Sequence, residues 1–169
     1  IQEFKDSLTA FNAQKKGSFE GKGNINLQIT TVIFKYLKKN KVPSHFIEKM
    51  DDQNMVTEKL TMIPLEVVVR NTAAGSMSSR LGIPEGTKLK KPVVEFYFKK
   101  DELNDPLITD DHVVMLGAAN ATEIKKLKSM ALQINKLLQK LFKAVGIELI
   151  DFKIEFGKNK AGKIMLADE

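Results

Sequence analysis

Two stretches of the chain alternate between apolar and polar residues with the period of a β-strand. Across residues 149–157, Ile150, Phe152, Ile154 and Phe156 fall on one face and Asp151, Lys153 and Glu155 on the other. The apolar face predicts a core contact. The acid–base–acid row suits an ordinary solvated strand face as readily as a site. Across residues 62–76, Leu65, Val67 and Val69 alternate with Glu66, Val68 and Arg70, which predicts a strand over 65–70 buried on one face and largely buried on the other. It runs into Ala73, Ala74, Gly75 and Ser76, with a short helix predicted over 77–81. Ser76 fits the N-cap of that helix, where unpaired N–H groups can meet an anion, and Arg70 at the strand end can clamp a phosphate bidentately. The same two residues read equally well as a structural ion pair and a plain cap.

Elsewhere the pattern predicts an α+β fold with mostly antiparallel strands and helices packed on the sheets. Residues 1–4 are strand-like, and 12–23 read as a flexible polar loop whose Gly17, Gly21 and Gly23 match neither a P-loop nor a dinucleotide fingerprint. Asn24 can cap a helix carrying Ile25, Ile29, Val32, Ile33, Tyr36 and Leu37 on one stripe, ending at Lys38, Lys39 and Asn40. Further strands are expected around 42–46, 55–60 and 93–99. The longest helix starts at an Asn120–Glu123 capping arrangement. It carries Ile124, Leu127, Met130, Ile134, Leu137, Leu138, Leu141 and Val145, and stops at Gly146. The strand bearing Asp151 turns through 157–162 into a hairpin partner at 163–166. With that turn centred near Lys160, Asp168 lies across from the Asp151–Glu155 row to within two positions of register. Two carboxylates on adjacent strands can hold Mg²⁺ together with substrate phosphates.

Composition narrows the chemistry. With 169 residues the chain suits one domain or two small lobes. It has no cysteine, which excludes disulfides and thiolate metal sites. His45 and His112 lack ligand spacing and read as surface or hydrogen-bonded side chains. No apolar run approaches the roughly 20 residues that span a bilayer, no signal-peptide pattern opens the chain, and the cytoplasm is the expected compartment. The formal charge of +6, from 27 Lys and Arg against 21 Asp and Glu, is carried largely by helix-face lysines such as Lys125, Lys126, Lys128, Lys136, Lys140 and Lys143. Few aromatic residues interleave with them, so no nucleic-acid partner is expected. A mildly basic field also suits polyanionic small molecules.

Taken together, the two strand segments resemble the signature regions of the SAICAR synthetase family. The first is similar to its strand of apolar, Pro, apolar, Glu, an apolar stretch and Arg, followed by Ala-Gly-Ser, and the second to its Asp-Phe-Lys-apolar-Glu-Phe-Gly run. The likeness extends to Thr9-Ala10-Phe11-Asn12, to 99–106, and to Ala167-Asp168-Glu169. It implies a two-lobed fold with a kinase-like or ATP-grasp-like nucleotide site: an N-terminal ATP-binding lobe over 1–64 and a C-terminal lobe over 65–169 with the substrate and metal sites. It implies an ATP-dependent ligase of purine biosynthesis that joins L-aspartate to the carboxylate of CAIR, the carboxylated aminoimidazole ribonucleotide, through an acyl phosphate. It implies Glu155 and Asp168 as Mg²⁺ and phosphate ligands, Met62 and Glu66 at the nucleotide, Arg70 and Ser76 on the ribonucleotide, Asp151 and Lys153 at its reacting end, and Lys99 and Asp105 at substrate. A homodimer is left open. Against the family pattern, an upstream Gly-Lys-rich turn and a downstream arginine segment are not represented, so the chain as written is expected to fold in large part and turn over poorly; an Asp is also replaced near Asn12. The alternatives are another ATP-dependent carboxylate–amine ligase, a small-molecule kinase, or a basic RNA-binding module.

Overall fold

A computed structural model describes residues 1–10 and 15–168, and these form three antiparallel sheets, four α-helices and a 3-10 turn at Asp101–Leu103. A small sheet joins β1 (Gln2–Glu3), β5 (Asn54–Thr57) and β4 (Phe46–Lys49), and a separate hairpin pairs β2 (Ser7–Ala10) with β3 (Lys15–Ser18). The large sheet has the order β10 (Ile164–Asp168), β9 (Asp151–Lys158), β6 (Thr61–Thr72), β7 (Lys88–Phe98), β8 (Leu107–Ile108). The helices are α1 (Lys22–Lys39), α2 (Ser76–Leu81), α3 (Asp110–Met115) and α4 (Ala121–Lys143).

The large sheet divides by parity. Leu65, Val67 and Val69 of β6, Phe96 of β7, and Ile154 and Phe156 of β9 are buried in one hydrophobic cluster with Leu127, Ile134 and Leu138 of α4 and Leu27, Phe34 and Leu37 of α1. That face is the core. The residues between them, Glu66, Arg70, Glu95, Tyr97, Asp151, Lys153 and Glu155, share the opposite face. The capping box at Asn120 and Glu123 is present in both directions, as the sequence pattern predicts.

Several local expectations fail, each for a physical reason. On α1 the buried stripe is Leu27, Thr31, Phe34 and Leu37, with Ile33, while Ile25, Ile29 and Val32 remain more than half exposed. Both stripes have helical spacing, and the sequence alone does not say which one the sheet covers. Asn24 is not the cap of α1. The N-cap is Gly21, and the carboxylate of Asp6 accepts from the N–H groups of Gly21 and Gly23 instead. A Cβ on Gly23 would lie 2.3 Å from the Phe4 carbonyl oxygen, so this close approach requires glycine. Residues 15–18, read as loop, pair with β2. Residues 42–45 are not strand: Pro43 has no N–H to give, and the segment touches β10 only through a parallel bridge of Ser44 with Leu166. The strand expected at 55–60 is shorter, that at 65–70 longer, and Val145 lies beyond α4, exposed. Lys128 is half-buried, with its ammonium over the Phe96 ring and paired to Asp110, rather than simply solvated. Asn12 lies outside the described residues.

Candidate active site

The polar face of the large sheet is laid out in rungs by strand register. Glu66 pairs with Tyr97 on β7 and with Glu155 on β9; Val68 pairs with Glu95 and Lys153; Arg70 pairs with Val93 and Asp151. Directly paired residues share a face, so these side chains converge without help from any loop.

Two bulges complete the grid. Between Met62 and Glu66 the pairing with β9 shifts by two residues, and this irregularity accommodates Pro64, whose carbonyl accepts from the Lys99 N–H at 3.1 Å. Between Leu166 and Asp168 one extra residue, Ala167, is inserted, so that Leu166 faces Phe156 and Asp168 faces Glu155. A regular ladder would set Ala167 against Glu155 and turn Asp168 towards the core face. Gly157 permits the close packing beside this point, since a Cβ there would lie 2.8 Å from that of Leu60.

At one end of the grid Arg70 is buried and its donors are engaged. Nε donates to Glu95 at 2.9 Å, Nη1 to Asp151 at 2.7 Å, and Nη2 to the hydroxyls of Ser76 at 3.0 Å and Tyr97 at 3.2 Å. Burial alone would lower the Arg70 pKa, but the bonds to Glu95, Tyr97 and Asp151 outweigh it and leave the pKa raised. Arg80 of α2 pairs with the second oxygen of Glu95. Ser76 is the first residue of α2, whose N-cap is Gly75. Its hydroxyl therefore accepts from Arg70 rather than capping the helix, and the expected cap role is corrected.

At the other end, Lys99 Nζ donates to Glu155 at 2.6 Å, and Lys153 pairs with Glu66. Burial works to lower the Lys99 pKa, yet the hydrogen bond to Glu155 and the charges of Glu155, Glu66 and Asp168 raise it overall. Lys99 is thus a cation held among three carboxylates. Asp105 accepts from the Lys100 N–H at 2.7 Å and so fixes the loop that follows Lys99. A cleft of about 370 Å³ opens here, lined among others by His45, Leu60, Met62, Glu155 and Asp168.

The structure therefore brings Arg70 into direct contact with both Ser76 and Asp151, sets Lys153 and Glu66 on the neighbouring rungs, and gathers Met62, Glu155 and Asp168 on one cleft. The sequence reading missed Glu95, Tyr97 and Arg80. For the first two a signal existed, because Glu95, Tyr97 and Lys99 alternate with Phe96 and Phe98 as Asp151, Lys153 and Glu155 do with their neighbours. His112 meets expectation, with Nδ1 accepting from the Thr109 N–H. His45 does not: it is buried, and its Nε2 has no partner.

Comparison with known proteins places this chain in a family. The family model described as SAICAR synthetase matches residues 1–169. The phosphoribosylaminoimidazole-succinocarboxamide synthase of Staphylococcus carnosus is 53% identical over 167 residues, which are 99% of this chain and 71% of that protein. Among solved structures, the corresponding synthase from Ehrlichia chaffeensis superposes with a TM-score of 0.95 at 42% identity, over 99% of this chain and 72% of that one. A SAICAR synthetase in complex with ADP superposes with a TM-score of 0.94 at 48% identity, over 99% and 71%.

Proposed function

The chain belongs to the SAICAR synthetase family, and from that premise we propose how its polar face serves the family's reaction. It is an ATP-dependent ligase of purine biosynthesis. The substrates we assign are ATP, CAIR and L-aspartate. A carboxylate is a poor electrophile, so the terminal phosphoryl group of ATP is first transferred to the CAIR carboxylate, releasing ADP. The aspartate amine then attacks the acyl phosphate, forming the amide and expelling phosphate.

The two ends of the grid divide the work. The nucleotide lies in the cleft beside Met62, Glu155 and Asp168, with Glu66 behind them. Glu155 and Asp168, carboxylates opposed on adjacent strands, would hold Mg²⁺ there beside the nucleotide phosphates. Among the described residues no group of three or more His, Cys, Asp or Glu is arranged to hold a cation without such help. When bound, Mg²⁺ supplies charge neutralisation for the phosphate oxygens. Lys99 and Lys153 keep ammonium groups beside the transferring phosphoryl group, where positioning and positive charge are the chief demands. Asp151, tied to Arg70, orients the reacting end of the ribonucleotide. The Arg70 Nη2 edge and Ser76 receive the ribonucleotide phosphate, since that edge alone meets neutral oxygens and turns to an anion without breaking an ion pair. Asp105 acts on substrate through the loop it holds beside Lys99. Residues 1–64 supply the nucleotide lobe and 65–169 the substrate and metal lobe, and the compartment we assign is the cytoplasm. No helix among the described residues is long and apolar enough to cross a membrane.

The observation that carries this reading is the bulge that sets Asp168 opposite Glu155 on the cleft beside Met62. The test is ADP release measured with each substrate omitted in turn. It is expected to require both aspartate and CAIR, and release that ignores either compound overturns the assignment.

A further inference from the structure

Ser76 and Arg80 stand four residues apart on α2, a spacing that puts both side chains on one face of the helix. Both meet the rung of Arg70. The Ser76 hydroxyl accepts from Arg70 Nη2 at 3.0 Å, and Arg80 Nη1 donates at 3.4 Å to the Tyr97 hydroxyl, which also accepts from Arg70 Nη2 at 3.2 Å. Two guanidinium groups on different elements thus converge on one neutral oxygen. Their exposure differs: the Arg70 side chain is 8% exposed and that of Arg80 32%. We propose that Arg80 is a phosphate-binding residue, whose guanidinium joins Arg70 and Ser76 in holding the phosphate of the ribonucleotide. The proposal rests on the ribonucleotide reading of this end given above.

The supply of donors calls for a second arginine. Arg70 commits Nε to Glu95 and Nη1 to Asp151, so only its Nη2 stands clear of an ion pair. A phosphate there meets one guanidinium edge and one hydroxyl, and it brings more acceptor oxygens than these can satisfy. Net charge adds little, because Glu95 and Asp151 already balance the two guanidinium groups. Binding therefore depends on well-directed donors, and Arg80 has them to spare. Its Nη2 donates to Glu95 and its Nη1 to Tyr97, and among the described residues no other acceptor is bonded to it, so part of the guanidinium fork is uncommitted. The buried Glu95 carboxylate anchors both groups: Oε2 accepts from Arg70 Nε and the Tyr97 hydroxyl, and Oε1 from Arg80. The bond from Arg80 to Tyr97 is long for its kind. Replacing it by a phosphate oxygen exchanges a weak neutral contact for a charge-assisted one and leaves the ion pair with Glu95 intact.

CAIR and its riboside, which lacks the phosphate, test this when titrated calorimetrically into the wild type, Arg80→Gln and Arg80→Lys. Gln keeps a donor for Glu95 and removes the charge; Lys keeps the charge and removes the fork. Expected is a roughly ten- to hundredfold loss of CAIR affinity in Arg80→Gln, the scale of a charge-assisted contact. Riboside affinity is expected to be unchanged, and Arg80→Lys to recover part of the loss. Equal CAIR affinity in wild type and Arg80→Gln overturns the inference and leaves Arg70 and Ser76 as the phosphate site. A wild type that does not bind CAIR overturns both. A loss shared by the riboside also overturns it, since a phosphate contact does not touch that probe. The side-chain ¹⁵N resonances of Arg80 in the wild type separate direct contact from an effect relayed through Glu95 to Arg70, and they decide the matter should Arg80→Gln fail to fold. They are expected to shift with CAIR and with ribose 5-phosphate and to stay fixed with the riboside. Resonances that CAIR leaves unmoved overturn the proposal, whatever the variants show.

Discussion

At the Arg70 end of the polar face two guanidinium groups, Arg70 and Arg80, meet two carboxylates, Glu95 and Asp151; at the Glu155 end two ammonium groups, Lys99 and Lys153, stand among three, Glu66, Glu155 and Asp168. The first set is balanced, with Arg70 and Glu95 buried at its centre and Asp151 and Arg80 at its partly exposed rim. Its planar forks fix direction as well as charge. The second keeps a surplus of negative charge, more exposed lysines and an open cleft. The same strands thus build a stiff end, where the Arg70 Nη2 edge meets only neutral hydroxyls, and an acidic end, where carboxylates outnumber ammonium groups. Position along the strand decides which: small residues and α2 cover the Arg70 rung, while bulges open the Glu155 rung.

Breaking the stiff end is expected to have the largest effect. Arg70→Ala strands Glu95 and Asp151, and loss of one partner from a buried ion pair costs about 3–5 kcal/mol. Urea denaturation measures it, and a change below about 1 kcal/mol would show that Arg80 alone satisfies Glu95. At the acidic end Glu155→Gln tests binding rather than folding. It is expected to weaken Mg²⁺-dependent ATP affinity roughly ten- to a hundredfold, the scale of a charge-assisted contact, with the far-UV spectrum retained. Equal affinity with and without Mg²⁺ in the wild type would remove the metal role from this end.

A third prediction concerns pH beside the acidic cleft. His45 titrates near 6.5 when unfolded and is pushed down to about 4 by burial in the fold. The unfolded chain therefore binds the proton first, so this stabilisation is whole above pH 6.5 and is lost as pH falls from there towards 4. It amounts to on the order of 2–3 kcal/mol. Stability curves of wild type and His45→Phe from pH 7.5 to 4.5 should diverge accordingly, and parallel curves would refute the shift. The smallest effect is expected from Tyr97→Phe at the stiff end. Removing the hydroxyl that links Arg70, Arg80 and Glu95 should cost about 1 kcal/mol in denaturation and weaken CAIR binding less than Arg70→Lys does.

The alternation at 149–157 and 65–70 was legible because a half-buried strand imposes a period of two, and that period carried most of the site with it. Asn120 and Glu123 announced α4 because a capping box needs only three residues of separation. What was hidden is set by tertiary choice. The two stripes of α1 are equivalent until the sheet covers Leu27 and Phe34. Asp6 replaces Asn24 as the cap from a distance of many residues. Glu95 and Tyr97 carried a readable alternation, but their importance came from meeting Arg70 across a strand pair whose register the sequence does not state. The unpaired Nε2 of His45 is a property of packing, with no trace in residue spacing.

The single-residue bulge at Ala167 has a consequence for how such a chain can change over evolutionary time. Substitutions act on the Glu155–Asp168 pairing by chemistry, but insertions and deletions act on it by count. One residue added between Leu166 and Asp168 swings the carboxylate to the wrong side of the sheet, however well every other side chain is kept. The turn between β9 and β10, where Asn159 accepts from the N–H groups of Ala161 and Lys163, is exposed and has no such constraint. Length variation among descendants should accumulate in that turn and be purged two residues before Asp168.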